Sequence, residues 1–342
     1  MLPKTDQAIK AGTLTVTDMH TAGEPVRIVT GGYPELKGST ILEKRQDALK
    51  NHDHLRKIMM LEPRGHNEMY GVIPVAPNNS SADLGVLFTH GSGYSTMCGH
   101  ATIALGRWAL ETGLITPVEP VTEFILECPC GPVHVATAIE DGVIGDTSFE
   151  SVTGYVHIQG MEVILPSIGH VTVDIAYGGA YYAFVSATDL QLDFEVSSKD
   201  DIKARAVELV NIIRQTYIIE HPQAADLGFL YGVIITETND VRLSDTNRHL
   251  CYFAEGQLDR SPTGSGVTAR LALAYAKGHV DIGDVCFFSG ASDLSFSGTI
   301  SRESQLADKN GVTTQVSGRA YHCGTSNYII ETDDPLREGW QL

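Results

Sequence analysis

Two stretches of this chain open a helix in the same way. The first, MCGHATIA (Met97 to Ala104), follows the apolar run ADLGVLFTH and continues into GRWALETG after Leu105. The second, DRSPTGSGVTARLALAY (Asp259 to Tyr275), follows HLCYFAEGQ and is equally rich in alanine and leucine. Aligned on Cys98 and Thr263, which stand 165 positions apart (263 − 98), CGHATIA and TGSGVTA share the glycine after the key residue and the final alanine. A strand, a glycine-bearing turn and a central helix used twice point to a duplicated α+β unit. The 342 residues are enough for two ordinary domains or one large one.

The remaining pattern supplies the sheets. TLTVTDMHTAG and PVRIVTGG read as strands, followed by one helix over about Ile41 to Met59, closed by Pro63-Arg64-Gly65. VIPVAP and ADLGVLFTH read as strands, and the helix after Gly99 should stop at Gly113. EFILECPCGPVHVATAIEDG reads as a hairpin turning at Pro129 to Pro132. Strands resume with GYVHI, MEVILP, HVTVDIAYGG and YYAFVSA. A helix then spans about Lys199 to Ile219, with Ser198 and Asp201 as its capping pair. GFLYGVIIT, HLCYFAEGQ, CFFSGASDLSFSGTI and TTQVSGRAYHCGTSNYIIE complete the strands.

Charge narrows the partners. With 24 basic against 42 acidic residues, the net charge of −18 repels phosphate backbones and argues against nucleic acid. No apolar run approaches the roughly 18 residues of a membrane span. The polar start MLPKTDQAIKAG lacks a signal-peptide core, and its first ten residues are expected to be disordered. Six scattered cysteines read as reduced thiols, so a cytoplasmic location is expected.

An acidic protein needs local positive potential to bind an acid, and helix N-termini offer it. Each exposes unpaired N–H groups and roughly half a positive charge, which holds a carboxylate and lowers a cysteine's pKa. The expected ligand is a small carboxylate-bearing molecule. Cys98 reads equally as a buried inert thiol. Two positions apart on a helix, His100 is not expected to face it. Asp259 reads as well as a turn cap, and Tyr70 and Phe253 read more readily as core. Cys128, Cys130 and His134 lack C-x2-C metal spacing. GSGVTA matches a dinucleotide-binding pattern only formally, because DRSPT separates it from its strand.

EPRGHNEMYG, ADLGVLFTHGSGYSTMCGHATIA, DIAYGGAYYAFV, FAEGQLDRSPTGSG and GRAYHCGTSNYIIETDDPLREG resemble the proline racemase family from about His20 to the end. The resemblance implies a diaminopimelate-epimerase-like α+β fold. Two pseudo-symmetric domains, 11–145 plus 322–342 and 146–321, would each wrap a curved sheet around a central helix, with the site in the cleft between them. It implies an enzyme without cofactor or metal, and a homodimer. Cys98 would be the acid/base thiol. His100 and Asp259 would meet the ring nitrogen, and the N–H groups of Gly99, His100, Gly264 and Ser265 the carboxylate. Tyr70 and Phe253 would pack the ring, and Ser95 would tune specificity.

Racemases and epimerases of the family carry cysteine in both helix mouths. The form with threonine at the second resembles the branch that dehydrates trans-3-hydroxy-L-proline, a hydro-lyase reaction. Chemistry agrees: inversion needs an acid/base on each face of the α-carbon, and threonine has no thiolate-like form at neutral pH. Proton removal by Cys98 with loss of a 3-hydroxyl is the reaction left, and Thr263 becomes a hydrogen-bonding wall. The alternatives are a 4-hydroxyproline 2-epimerase or proline racemase, and a non-catalytic binder of proline-like acids.

Overall fold

A computed structural model describes residues 12–341; the disorder expected for the first ten residues lies outside them. The α+β duplication is present, and it can be followed strand by strand. In the first half, Gly12–Thr21 and Glu24–Gly31 pair antiparallel, and Glu24–Gly31 lies parallel to Tyr70–Val75. Tyr70–Val75 pairs antiparallel with Leu84–His90, which carries the short strand Gly93–Ser95 on its way into the helix Gly99–Glu111. After that helix, Val121–Cys128 returns parallel to Leu84–His90, and two hairpin steps add Gly131–Glu140 and Val143–Glu150.

The second half repeats each step. Gly169–Tyr177 pairs antiparallel with Tyr181–Ser186, which lies parallel to Leu230–Thr236 across the helix Lys199–Thr216. Thr246–Phe253 and the short Gln257–Asp259 lead into the helix Gly264–Ala276. Val285–Ser289 then lies parallel to Thr246–Phe253, followed by Ser295–Leu306 and Lys309–Gly318. Tyr155–Leu165 flanks Gly169–Tyr177, and in the first half that place is taken by the last strand, Ala320–Ile330, along Gly12–Thr21.

Both central helices are buried on nearly every face: Gly99 to Gly106 and Gly264 to Ala274 are buried without a break. A helix apolar all round belongs inside a core rather than on a surface, so each sheet must curl around its helix. The two halves join where Lys309–Gly318 pairs antiparallel with Val143–Glu150, setting Val316 opposite Phe149.

Four local expectations differ from the fold. The helix expected over Ile41 to Met59 is two helices, Ile41–Asn51 and Asp53–Met60, broken at His52. Asn, His and Asp in sequence favour a break over a helix interior, and Asp53 pairs with Arg56 at 2.6 Å to start the second piece. The long helix ends at Thr216 rather than Ile219, because Tyr217 is extended. HLCYFAEGQ is not one strand: the chain reverses at Ala254 (φ 50°) and Gly256 (φ 87°), so Cys251 pairs with Asp259. Val143–Glu150 had no strand signal because Gly145 and Asp146 interrupt it, yet it carries the seam between the halves.

Candidate active site

The two helix mouths touch. A Cβ placed on Gly99 would lie 2.5 Å from the Gly264 Cα, and one on Gly264 would lie 2.7 Å from the Gly99 Cα. The Phe149 ring, delivered by the seam strand, would stand 3.0 Å from either added carbon. Glycine follows the key residue in both mouths because only a bare Cα lets the backbones approach so closely. Between the mouths lies a tightly closed cavity with about 10 Å³ of open space, far below the size of pockets for drug-sized ligands.

Nine of the ten expected site residues line that cavity: Tyr70, Cys98, Gly99, His100, Phe253, Asp259, Thr263, Gly264 and Ser265. The tenth, Ser95, is fully buried one layer behind, hydrogen-bonded to the Tyr70 hydroxyl. From there it bears on the cavity through the Tyr70 hydroxyl.

Cys98 is the N-cap of its helix, with extended backbone (φ −147°, ψ 113°), and its sulfur accepts from the Ala101 N–H at 3.4 Å. Because it stands outside the helix, the helical spacing rule does not govern it. The His100 Nδ1 lies 3.1 Å from the Cys98 sulfur, so the expectation that the two would not meet is overturned. The charge expectation changes as well. Burial, followed by the nearby Asp259 carboxylate, pushes the Cys98 thiol well above its ordinary range. The Ala101 N–H and the Tyr70 hydroxyl pull the other way and are outweighed. The helix mouth therefore does not by itself bring the thiol below its ordinary range.

Burial depresses the His100 pKa, so the ring is neutral, while Asp259 and a hydrogen bond to the Pro25 carbonyl oppose the shift. The His100 Nδ1 stands 4.0 Å from the Asp259 carboxylate. Asp259 in turn accepts from the Ser261 N–H and from the Thr263 hydroxyl, each at 2.8 Å.

Thr263 also caps a helix, but in a different way. Its backbone is left-handed (φ 56°, ψ 86°), and its side chain makes no capping bond. A β-branched residue there is an outlier that costs of order 1–3 kcal/mol and needs support from its surroundings. Its hydroxyl proton goes to Asp259, so it offers the cavity only lone pairs. Among the described residues, no hydrogen-bond partner takes the N–H groups of Gly99, His100, Gly264 or Ser265. These donors are open to an anion.

Sequence reasoning missed Met97, Tyr182, Tyr231 and Cys251 on the cavity wall. Tyr182 bonds the Ser265 hydroxyl at 2.8 Å, and Tyr231 stacks on Phe253 at 5.3 Å between ring centres. Cys251 was legible in principle: a turn at Ala254-Glu255-Gly256 pairs it with Asp259.

Two sheet-wrapped helices meeting mouth to mouth, with a thiol cap on one and open N–H donors on both, define a two-lobed acid–base enzyme of the pseudo-symmetric epimerase-like fold. The chain belongs to the proline racemase family, whose model, described as proline racemase, matches residues 16–341. A human protein named trans-3-hydroxy-L-proline dehydratase is 45% identical over 335 residues, covering 96% of this chain and 94% of its own length. A proline racemase of Clostridioides difficile is 38% identical over 325 residues, covering 95% of this chain and 97% of its own. A hydroxyproline epimerase from Agrobacterium vitis, solved with bound trans-4-OH-L-proline, superposes with a TM-score of 0.91 at 25% identity. The superposition covers 97% of this chain and 95% of that one. No described helix is long and apolar enough to cross a membrane.

Proposed function

We propose that this protein is a hydro-lyase that dehydrates trans-3-hydroxy-L-proline. The observation that carries the reading is the asymmetry of the caps: a thiol at Cys98 faces, across the cavity, a Thr263 hydroxyl whose proton is committed to Asp259. One face of the α-carbon therefore has a base and the other has none, which excludes efficient inversion. The dehydratase name of the human relative supports the same choice.

The substrate carboxylate binds the open N–H groups of Gly99, His100, Gly264 and Ser265, where the helix dipoles stabilise charge building up on it. The ring ammonium lies between His100 and Asp259. Its charge answers the Asp259 carboxylate that raises the Cys98 thiol, so binding favours the thiolate. Cys98 takes the α-proton, and the 3-hydroxyl leaves as water. The enamine, Δ2-pyrroline-2-carboxylate, tautomerises to Δ1-pyrroline-2-carboxylate. Tyr70 and Phe253, edge to face at 6.3 Å, pack the ring.

We further propose the domain division 11–145 plus 322–342 and 146–321, supported by the return of Ala320–Ile330 to Gly12–Thr21. The active form is a homodimer, which light scattering tests.

The deciding assay incubates the protein with trans-3-hydroxy-L-proline and traps pyrroline with o-aminobenzaldehyde. Colour that disappears in Cys98→Ala is expected. Thermal stabilisation by the substrate with no colour would leave a binder, and inversion of proline or 4-hydroxyproline without colour would leave an epimerase.

A further inference from the structure

The departing hydroxide needs a proton, and the side of the cavity that carries Cys98 offers few groups to give it. This inference rests on the dehydration reading. In trans-3-hydroxy-L-proline the hydroxyl and carboxylate lie on opposite ring faces, so the α-hydrogen and the hydroxyl share a face. Base and acid must therefore both work from the Cys98 side. Thr263 lies on the other side, with its proton held by Asp259. Tyr182 is bound to Ser265 at the second mouth. His100 is held neutral by burial, and both of its ring nitrogens lie at the Cys98 sulfur, 3.1 and 3.7 Å away, so the ring serves the base rather than the leaving group.

Tyr70 remains. It comes from the same half as Cys98, lines the same cavity, and stands edge-on to the His100 ring at 4.8 Å. Its hydroxyl is bonded to Ser95, which can donate to it when it loses its proton. We propose that Tyr70 is the general acid that protonates the leaving 3-hydroxide.

The step balances without an outside reagent. The Cys98 thiolate takes the α-proton, forming S–H, and the C–H pair becomes the ring double bond. The C3–O bond breaks with its pair to oxygen, which takes the Tyr70 proton and leaves as water. The tyrosinate, steadied by Ser95, recovers a proton from the new Cys98 thiol, and both groups return to their starting states. A phenol is a far stronger acid than water, and the burial that raises its pKa keeps Tyr70 protonated until it is needed.

The test replaces the leaving group. Fluoride departs without a proton, so trans-3-fluoro-L-proline needs the base but not the acid. In Tyr70→Phe, pyrroline formation from the hydroxy substrate is expected to fall about a hundredfold or more, while fluoride release stays within about tenfold of wild type. Equal losses on both substrates, or undiminished dehydration, would overturn the assignment, because a packing defect does not distinguish leaving groups. Should Tyr70→Phe fail to fold, Ser95→Ala decides: a loss confined to the hydroxy substrate supports the relay, and any other pattern refutes it. If the wild type releases fluoride but never water, the dehydration reading itself fails, separately from the role of Tyr70.

Discussion

Adding one methyl group where the helix mouths meet should damage this protein more than its size implies. In Gly99→Ala the new carbon would lie 2.5 Å from the Gly264 Cα, 3.0 Å from the Gly264 nitrogen and 3.0 Å from the Phe149 ring. Carbon atoms pack at about 3.5–4.0 Å, so the two backbones must part by roughly 1 Å. Overpacking of this kind costs about 1–3 kcal/mol. At about 2–4 °C per kcal/mol, with a long chain near the low end, the melting temperature should drop by about 2–6 °C. The functional loss should be larger, because the Cys98 sulfur with the Gly99 and His100 N–H groups sits on one side of that contact and the Gly264 and Ser265 N–H groups on the other. A displacement near 1 Å costs on the order of a hundredfold in rate. Gly324→Ala serves as control, since a Cβ there meets nothing within 4 Å. Thermal melts and the o-aminobenzaldehyde assay on both variants read the difference. If Gly99→Ala melts and turns over like Gly324→Ala, the close approach of the mouths is not what sets the geometry.

Acid should weaken the fold in a defined window. His90 and His249 are held neutral, each with its pKa lowered to about 3, by burial first and then by Arg56 and Arg270 respectively. The unfolded chain binds their protons from about pH 6.5 downward, so their contribution is complete above that pH and drains away toward pH 3. Between pH 6.5 and 5.5 the pair should withdraw roughly 2 kcal/mol, adding to what His100 and the other depressed histidines contribute to the fall in the urea midpoint, and His249→Asn should remove about 1 kcal/mol of the total. Asp259→Asn should speed alkylation of Cys98 near neutral pH, because the Asp259 charge helps to raise the thiol. Mass spectrometry of the Cys98 peptide against pH reads this, and an unmoved profile would remove Asp259 from the account. Thr263→Cys should gain measurable inversion of L-proline or 4-hydroxyproline by chiral chromatography; none at all would mean the second mouth differs by more than its side chain.

Much of this arrangement was legible because it rests on local pattern. Buried strands and largely apolar helices announce themselves in runs such as ADLGVLFTH and GVTARLALAY, and the repeated cap-glycine spacing reveals the duplication. What the sequence hid was the result of pairing at a distance. The strand at Val143–Glu150 carries glycine and aspartate and is chosen by its partner, Lys309–Gly318, rather than by propensity. Cys251 enters the site only because the chain turns at Ala254 to Gly256. Ser95 sits behind the cavity wall, its hydroxyl bonded to that of Tyr70. The Cys98 charge state was misjudged for a related reason: a helix end is visible in sequence, whereas burial and an approaching carboxylate are tertiary facts.

The asymmetry of the two mouths goes deeper than sulfur against oxygen. Cys98 has an extended backbone and turns its side chain back to cap its own helix. Thr263 has a left-handed backbone and turns its side chain away, to Asp259. The Ser261 hydroxyl accepts from the Thr263 N–H at 3.1 Å, and the Ser261 N–H is given to Asp259, so the whole turn is knotted around one carboxylate. A threonine in that conformation is held against its own preference. Mutating the hydroxyl therefore also loosens Asp259, the residue proposed to meet the substrate nitrogen. Reactivity on the Cys98 side and anchorage on the Thr263 side follow from a single division of labour. One mouth keeps its cap's sulfur at the cavity, and the other gives its cap's hydroxyl to Asp259, the group proposed to orient the ring.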